Sequence, residues 1–129
     1  MTTQQMEYFL SLAQKLNFSA VAERFFISQP TLSRQISNME RELNAIVDQG
    51  CTVIDVIVEH PIYGQLTGPL QLSSRYDVVQ FVDRCRQSDA LPLSNLTEGI
   101  HLHTISCPDE TAFQRVQTAL ERLGVLLEA

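Results

Sequence analysis

The stretch Gly99-Ile100-His101-Leu102-His103-Thr104-Ile105 decides how the rest of the chain is interpreted. Successive side chains of a β-strand point to opposite faces, so His101 and His103 would share one face and Leu102 would occupy the other. Imidazole is the commonest protein metal ligand, and two imidazoles one pleat apart can share an ion. The pattern therefore predicts either a metal site or a polar strand face that is turned to water.

The composition fits one ordinary domain or two small ones. The chain has 129 residues, 44% of them hydrophobic, with only 5 glycines and 5 prolines, so it can bury a core. No apolar run reaches membrane-spanning length and no signal peptide opens the chain, so we expect a cytoplasmic protein without a membrane partner. The 3 cysteines, Cys51, Cys85 and Cys107, form no Cys-x-x-Cys motif and are expected to be reduced core residues.

The net charge of −6 argues against a protein that binds nucleic acid over most of its surface. Most of the acidic residues follow Gly50, and before that residue the positive and negative charges nearly balance. A local DNA-binding face in the first part of the chain is therefore compatible with the charge pattern.

The first part of the chain has the layout of a helix-turn-helix. Thr2 or Thr3 would cap a first helix, because apolar residues from Met6 to Leu16 recur at helical spacing, and Ser19 would begin a second helix. Ser28 would cap a third helix with Pro30 in its first turn. Two short helices followed by a third with a polar outer face are typical of this motif, although an ordinary three-helix bundle has the same pattern.

The third helix is predicted to run without interruption from about Gln29 to Gln49, with Gly50 beyond its end. Its apolar stripe would pack in the core or against a second copy of the chain, and we favour the core. Its outer face carries short polar side chains and arginines, which suit base edges and phosphates. Those outer residues are Gln29, Thr31, Ser33, Arg34, Ser37, Asn38 and Arg41.

The rest of the chain predicts an α+β arrangement. Strands are expected at 51–59, at 65–72 with Pro69 near an edge, at the His-x-His stretch and at 125–127, and helices at about 74–87 and 108–123. The predicted fold is an N-terminal all-α helix-turn-helix joined through a long helix to a four-stranded, mostly antiparallel sheet with helices on one face. The expected domains are residues 1–41 and 42–129.

The string YFLSLAQKLNFSAVAERFFISQPTLSRQISNMERELN, residues 8–44, strongly resembles the N-terminal helix-turn-helix of LysR-type transcriptional regulators. The run from Ser28 to Ile36 is the most specific part of the match. The resemblance implies that Gln29, Pro30, Ser33 and Arg34 lie at DNA, and the outer-face analysis adds Thr31 and Arg41. That family continues with a wing and a linker helix, and this sequence departs from it at about Ala45.

The second part resembles the three-histidine (3H) domain of niacin-responsive transcription repressors. The matching strings are ELNAIVDQG, VIDVIVEHPIYG, SSRYDVVQFV, PLSNLTEGIHLHTISCPDE and LGVLLEA, over about residues 42–129. The resemblance implies a dimeric DNA-binding repressor whose regulatory domain senses nicotinic acid and carries a divalent transition metal.

Site residues follow from the same resemblance. His101, His103 and Glu42 match metal ligands, and the metal would be zinc, nickel or iron. The family's further histidine ligand lies eight residues before the carboxylate, where this chain has Arg34, which cannot ligate. The site would therefore have one protein ligand fewer and an open position.

A small carboxylate such as nicotinic acid could complete that open site. His60, in the Glu-His-Pro motif, is expected near the metal and not on it, and Tyr63 belongs to the same turn. Arg75 would hold the carboxylate in a bidentate fork, or is a surface residue in the first turn of a helix.

The sequence thus predicts a cytoplasmic, homodimeric transcriptional repressor that senses nicotinic acid or a related carboxylate through a metal. One alternative is a metal- or ligand-binding module whose helix-turn-helix has lost DNA binding. The other is a metal-dependent hydrolase, ranked last because no further base accompanies the ligands in sequence.

Overall fold

A computed structural model describes residues 6–13, 29–88 and 100–127 of the chain. Three helices and four strands follow one another in these segments. They are β1 (Met6–Ala13), α1 (Gln29–Val47), β2 (Thr52–His60), β3 (Gly64–Leu72), α2 (Arg75–Ser88), β4 (Ile100–Cys107) and α3 (Glu110–Leu123).

The four strands form one sheet in the order β1-β4-β2-β3, and each neighbouring pair is antiparallel. The His-x-His strand β4 is therefore an inner strand. β3 forms an edge, as Pro69 predicted, because a proline cannot donate to a neighbouring strand. The predicted α+β class and four-stranded antiparallel sheet are confirmed.

The first predicted helix is wrong: residues Met6–Ala13 form strand β1. This segment fits both periods, because its even-numbered residues are apolar while a helical stripe also runs through it. In the structure β1 pairs along the whole of β4, and Leu10 and Leu12 are buried. Pairing satisfies the backbone groups that β4 would otherwise expose at an edge, and it adds two leucines to the core.

The predicted last strand is also corrected. Residues 125–127 make a single bridge, between Leu126 and Leu12, and Leu127 donates its N–H to the carbonyl of Ser11. The fourth strand of the sheet therefore comes from the beginning of the chain. The second predicted helix, which would begin at Ser19, lies outside the described residues.

The long helix is confirmed as one uninterrupted element, α1. Gly50 follows it with a positive φ of 81° and donates its N–H to the carbonyl of Val47. Only glycine adopts that left-handed conformation at little cost, which explains where the helix stops. The stripe packs in the core, because Ile36, Leu43 and Ile46 are all buried.

The other two helices begin close to their predicted positions, and a side chain caps each of them. The hydroxyl of Ser74 accepts from the N–H of Asp77, and the Asp77 carboxylate accepts from the N–H of Ser73. Asp109 caps α3 by accepting from the N–H of Ala112, and Gly124 ends α3 in the left-handed conformation. These caps fix the two helices against the sheet ends.

All three helices contribute to one core on one face of the sheet. The core joins Leu43 and Ile46 of α1 to Val53 of β2 and Ile105 of β4, with Val116 of α3 among them. In the described segments no helix is both long enough and apolar enough to cross a bilayer.

Candidate metal centre

The two histidines of β4 lie on the face of the sheet that the helices cover. Each is 2% exposed, and each has a leucine of β1 as its cross-strand neighbour: Leu12 beside His101 and Leu10 beside His103. Glu42, in the second half of α1, points at them and is 1% exposed. The sequence prediction that these three residues come together is therefore matched by their placement.

The distances define a compact cluster. The Glu42 Oε1 atom lies 2.9 Å from His101 Nε2, and the other carboxylate oxygen, Oε2, lies 3.8 Å from His103 Nε2. The two imidazole rings meet edge to face, with centroids 4.9 Å apart and planes at 80°. One ligand atom from each residue falls within 4.8 Å of the others.

The tautomer of His103 is set by a backbone group. His103 Nδ1 lies 2.8 Å from the carbonyl oxygen of Asp55, which can only accept, so Nδ1 carries the proton. In the neutral ring Nε2 is then a bare lone pair directed at Glu42. Metal-bound histidines are commonly oriented in this way, with the second nitrogen donating to a carbonyl.

Asp55 is the supporting residue that the sequence analysis missed. It lies at a register irregularity between β2 and β4, and its Oδ1 accepts from the N–H of Thr104 at 3.0 Å. The side chain thus replaces a ladder hydrogen bond, and the displaced carbonyl turns to His103. The available signal was an acidic residue in the middle of an otherwise apolar strand, Val53-Ile54-Asp55-Val56-Ile57.

Two buried atoms of the cluster have no hydrogen-bond partner among the described residues: Glu42 Oε2 and His103 Nε2. Both are acceptors, and they face each other across 3.8 Å. Leaving two buried acceptors unpaired costs on the order of 1–3 kcal/mol each. A cation between them would satisfy both atoms at once.

Glu42 is held in its charged form. Burial raises the pKa of this carboxyl group, but the positive charge and hydrogen bonds that His101 and His103 supply when they are protonated outweigh burial and lower the pKa to about 2. A buried carboxylate that stays ionised is a ready metal ligand, since no proton has to be displaced first.

The donor set suits a divalent transition metal. Two imidazoles and a carboxylate are borderline ligands that bind zinc, nickel or iron. With bonds of about 2.0 Å, ligand atoms of a tetrahedral site lie roughly 3.3 Å apart, close to the 3.8 Å between Glu42 Oε2 and His103 Nε2. Glu42, His101 and His103 thus form a group that could hold a metal ion.

His60 is separate from this cluster, as expected. Its Nδ1 accepts from the N–H groups of Ile62 and Tyr63, so the ring closes the turn between β2 and β3. Tyr63 is 74% exposed, and its ring centroid is 4.9 Å from that of His60. The pairing of Ile57 with Leu102, continued along the strands, places His60 on the same sheet face as His101, one pleat nearer the turn.

Arg75 forms a bidentate ion pair with Asp48. Its Nε and Nη2 donate to the two carboxylate oxygens of Asp48 at 2.7 Å and 2.6 Å. The fork that was predicted for a small carboxylate is thus occupied by a side chain at the end of α1. A ligand carboxylate that used this same Nε/Nη2 edge would require release of Asp48.

The predicted DNA-contacting residues all fall on α1, between its first residue and Arg41. Arg34 and Arg41 are exposed, seven residues apart and therefore on nearly the same side of the helix. Gln29, Pro30, Thr31 and Ser33 lie in the first turns, where only the backbone is described. Ser37 accepts a hydrogen bond from Arg86 of α2 at 3.3 Å, so this outer position already has a protein contact.

Two family models match the chain, and they overlap on α1. The 3H domain model matches residues 28–129, and the model of the bacterial regulatory helix-turn-helix protein, lysR family, matches residues 3–46. The shared segment 28–46 is nearly all of α1, the helix that carries both Arg34 and Glu42.

The relatives are consistent with both matches. The transcription repressor NadR of Bacillus subtilis is 45% identical over 89 residues, which cover 69% of this chain and 49% of that protein. The probable transcription repressor NiaR of Thermotoga maritima is 40% identical over 90 residues, 70% of this chain and 51% of that protein. The regulator CatR of Pseudomonas putida is 45% identical over 47 residues, 36% of this chain and 16% of that protein.

The chain spans about half the length of the two repressors that it matches. The 3H domain match nonetheless covers most of the chain and includes every residue of the Glu42, His101 and His103 cluster. The chain therefore belongs to the 3H domain family, with a LysR-type helix-turn-helix sequence at its beginning.

Proposed function

We propose that this chain is a DNA-binding transcriptional repressor whose 3H domain senses nicotinic acid or a related small carboxylate through a divalent transition metal. The similarity to NadR and NiaR, both described as transcription repressors, supports a regulator and not an enzyme. A metal-dependent hydrolase is accordingly the weakest of the functions considered.

The observation that carries the proposal is the shared helix α1. Its first half has the LysR-type sequence and presents Arg34 to solvent, while its second half buries Glu42 against the histidines. Eight residues, about 12 Å of helix, separate these two side chains without a break. A rigid connection of that length would let a shift at the metal cluster move the DNA-contacting face.

The metal would be held by Glu42, His101 and His103, with zinc, nickel or iron as candidates. Three protein ligands leave a coordination position for the ring nitrogen or carboxylate of the sensed molecule. We place that molecule towards the β2–β3 turn, because His60 and the exposed Tyr63 lie on that side of His101.

We further propose a cytoplasmic homodimer. Helix-turn-helix proteins commonly read two half-sites with two copies of the motif. One α1 supplies only Arg34 and Arg41 as exposed cations, which is few for stable binding to DNA at a chain net charge of −6.

A second candidate is a metal- and ligand-binding module that no longer binds DNA. Two contacts favour it: Met6–Ala13, the predicted first helix of the helix-turn-helix, is paired with β4, and Ser37 is bonded to Arg86. In both contacts, residues of the helix-turn-helix sequence bind to the 3H domain, and this would compete with their binding to DNA.

A selection from random duplexes, followed by fluorescence anisotropy, separates the two candidates. The full chain would be measured metal-free, with zinc or nickel, and with nicotinic acid added. Specific binding that changes with metal or nicotinic acid supports the repressor. Binding of metal and nicotinic acid without any selected sequence supports the second candidate, and failure to bind either ligand contradicts both.

A further inference from the structure

The structure brings together two of the three cysteines, far from the metal cluster. Cys51 and Cys107 are 56 residues apart in sequence, yet their Sγ atoms are 2.9 Å apart. Both thiols are free and fully buried. Cys85, the third, lies on α2 and is partly buried. The prediction of reduced core cysteines therefore fits Cys51 and Cys107, but the sequence did not predict that these two thiols meet.

The strand register explains why the two thiols meet. Thr52 of β2 pairs with Ser106 of β4 in an antiparallel ladder, so the preceding Cys51 faces Cys107 directly. Residues directly opposite in such a pair have Cα atoms roughly 4.5–5.5 Å apart, and a disulfide accepts about 4.4–6.8 Å. This general Cα separation and the 2.9 Å between the Sγ atoms are both favourable for a bond between the two sulfurs.

We propose that Cys51 and Cys107 are a redox modification site, which closes to a reversible disulfide when the chain meets an oxidising low-molecular-weight disulfide. The site lies at the other end of β4 from the histidines, about 13 Å along the strand from His103. It is independent of the function proposed for the metal cluster.

The reaction is a two-step thiol–disulfide exchange. The thiolate of Cys51 attacks one sulfur of the small disulfide, which releases one small thiol and leaves a mixed disulfide. The thiolate of Cys107 then attacks the Cys51 sulfur, forming the protein disulfide and releasing the second small thiol. The two cysteines lose two protons and two electrons, and the small disulfide is reduced to two thiols.

The surroundings favour Cys51 as the first nucleophile. Burial raises the pKa of both thiols, but the hydrogen bond between them partly lowers the pKa of Cys51, while the neighbouring Cys51 raises the pKa of Cys107 further. Access requires only a local opening, because the adjoining residues Gly50 and Pro108 are exposed.

The bond would join the segment after α1 to the end of β4. These are the elements that carry Glu42 and the two histidines, so oxidation would tie the two sides of the core together. A disulfide that closes a loop of this length constrains the unfolded chain, and we expect the midpoint of thermal unfolding to rise by roughly 5–15 °C.

Tryptic mapping tests the proposal directly, because the 9 lysines and arginines place each cysteine on a different peptide. Cys51 falls in 42–75, Cys107 in 87–115 and Cys85 in the dipeptide 85–86. The folded full chain would be equilibrated with mixtures of reduced and oxidised glutathione, alkylated and digested. We expect peptides 42–75 and 87–115 to be linked, and the link to disappear with dithiothreitol.

The chain with Cys85→Ser is the matched control and should form the same link with the same thermal shift. The chain with Cys107→Ala should form no link and show no shift. Alkylation of both Cys51 and Cys107 at the most oxidising glutathione ratio would overturn the proposal. Linkage of either one mainly to Cys85 would also overturn it, and neither result depends on how well the alanine variant folds.

Discussion

Two carboxylates near the same end of α1, Glu42 and Asp48, have opposite surroundings. Glu42 is 1% exposed and faces two imidazoles, while its Oε2 has no hydrogen-bond partner among the described residues. Asp48 is 36% exposed, and both of its oxygens accept from the guanidinium of Arg75. Each carboxylate has a lowered pKa, caused by histidines in one case and by an arginine in the other.

We infer that Glu42 is better suited than Asp48 to bind a cation, because it is buried and one of its oxygens has no hydrogen-bond partner among the described residues. The pair of Asp48 and Arg75 is saturated and screened by water, so it is expected to contribute little to stability. The Glu42 cluster carries a large desolvation cost and still leaves two acceptors facing each other. That cost is explained if the cluster binds a cation, and the four predictions below test this contrast.

The largest effect is expected from removing the imidazoles. The double variant His101→Ala, His103→Ala should weaken zinc or nickel binding by at least about 1,000-fold, since loss of an outer partner alone costs about 10–100-fold. Competition titration against a coloured chelator measures this change.

His60→Ala is the matched control for that experiment, because it removes the one histidine outside the cluster. It should leave metal affinity within a few-fold of the unchanged chain, since its ring is bonded to the turn. Equal affinity in the double variant, or a larger loss in His60→Ala, would place the metal elsewhere.

The next largest effect is expected on stability in acid, which should differ between the variants of the two carboxylates. The pKa of Glu42 is about 2 in the folded chain and about 4.5 when unfolded. Its contribution to stability is therefore complete above pH 4.5 and lost as the pH falls towards 2, on the order of 3 kcal/mol. Urea unfolding of the metal-free chain over this pH range should show a flatter profile for Glu42→Gln.

Asp48→Asn is the control for the acid experiment. The lowering of its pKa has the same sign, so its contribution is also lost on acidification, but the pair is exposed and screened. A profile for Asp48→Asn as flat as that for Glu42→Gln would mean that burial does not distinguish the two groups.

Most of the 3H domain could be predicted from sequence because its signals are local. Gly50, Ser74, Asp109 and Gly124 mark helix ends through caps and glycine conformations that need no distant partner. The alternation of β4 likewise fixed the shared face of the histidines. Glu42 could be assigned to the same cluster only through the family resemblance, because no local sequence pattern relates α1 to β4.

Other features depended on partners that the local sequence does not show. Met6–Ala13 fits both the helical and the strand period. It forms a strand because it pairs with the side of β4 that β2 does not cover. The bulge at Asp55 and the meeting of Cys51 with Cys107 depend on strand register, which is set by the whole sheet. The Asp48–Arg75 pair joins the end of α1 to α2. The sequence alone could therefore not show that Asp48 occupies the guanidinium of Arg75.

The third prediction concerns Arg34, an exposed arginine for which the described residues provide no ion pair. Arg34→Ala should weaken binding to a selected duplex by about 1–3 kcal/mol if the side chain reads a guanine, and should relax preference at one position. Arg122→Ala, an exposed arginine of α3, is the control and should change affinity by less than about threefold. Equal losses in both variants would indicate only a general charge effect.

The smallest effect is expected at Arg75. Its side chain is 66% exposed and its partner Asp48 is 36% exposed, so Arg75→Ala removes a well-formed but screened pair. Metal affinity should stay within about twofold and the midpoint of thermal unfolding within about 2 °C. The same variant also tests the predicted ligand fork, because Asp48 already neutralises the guanidinium and takes its Nε/Nη2 edge, which leaves only the Nη1/Nη2 edge for a ligand. Calorimetric titration of the metal-loaded chain with nicotinic acid should therefore give similar affinities for Arg75→Ala and the unchanged chain. A loss of more than about tenfold, accompanied by tighter binding in Asp48→Asn, would show that the ligand takes Arg75 from Asp48. Ligand binding would then break the exposed Arg75–Asp48 pair.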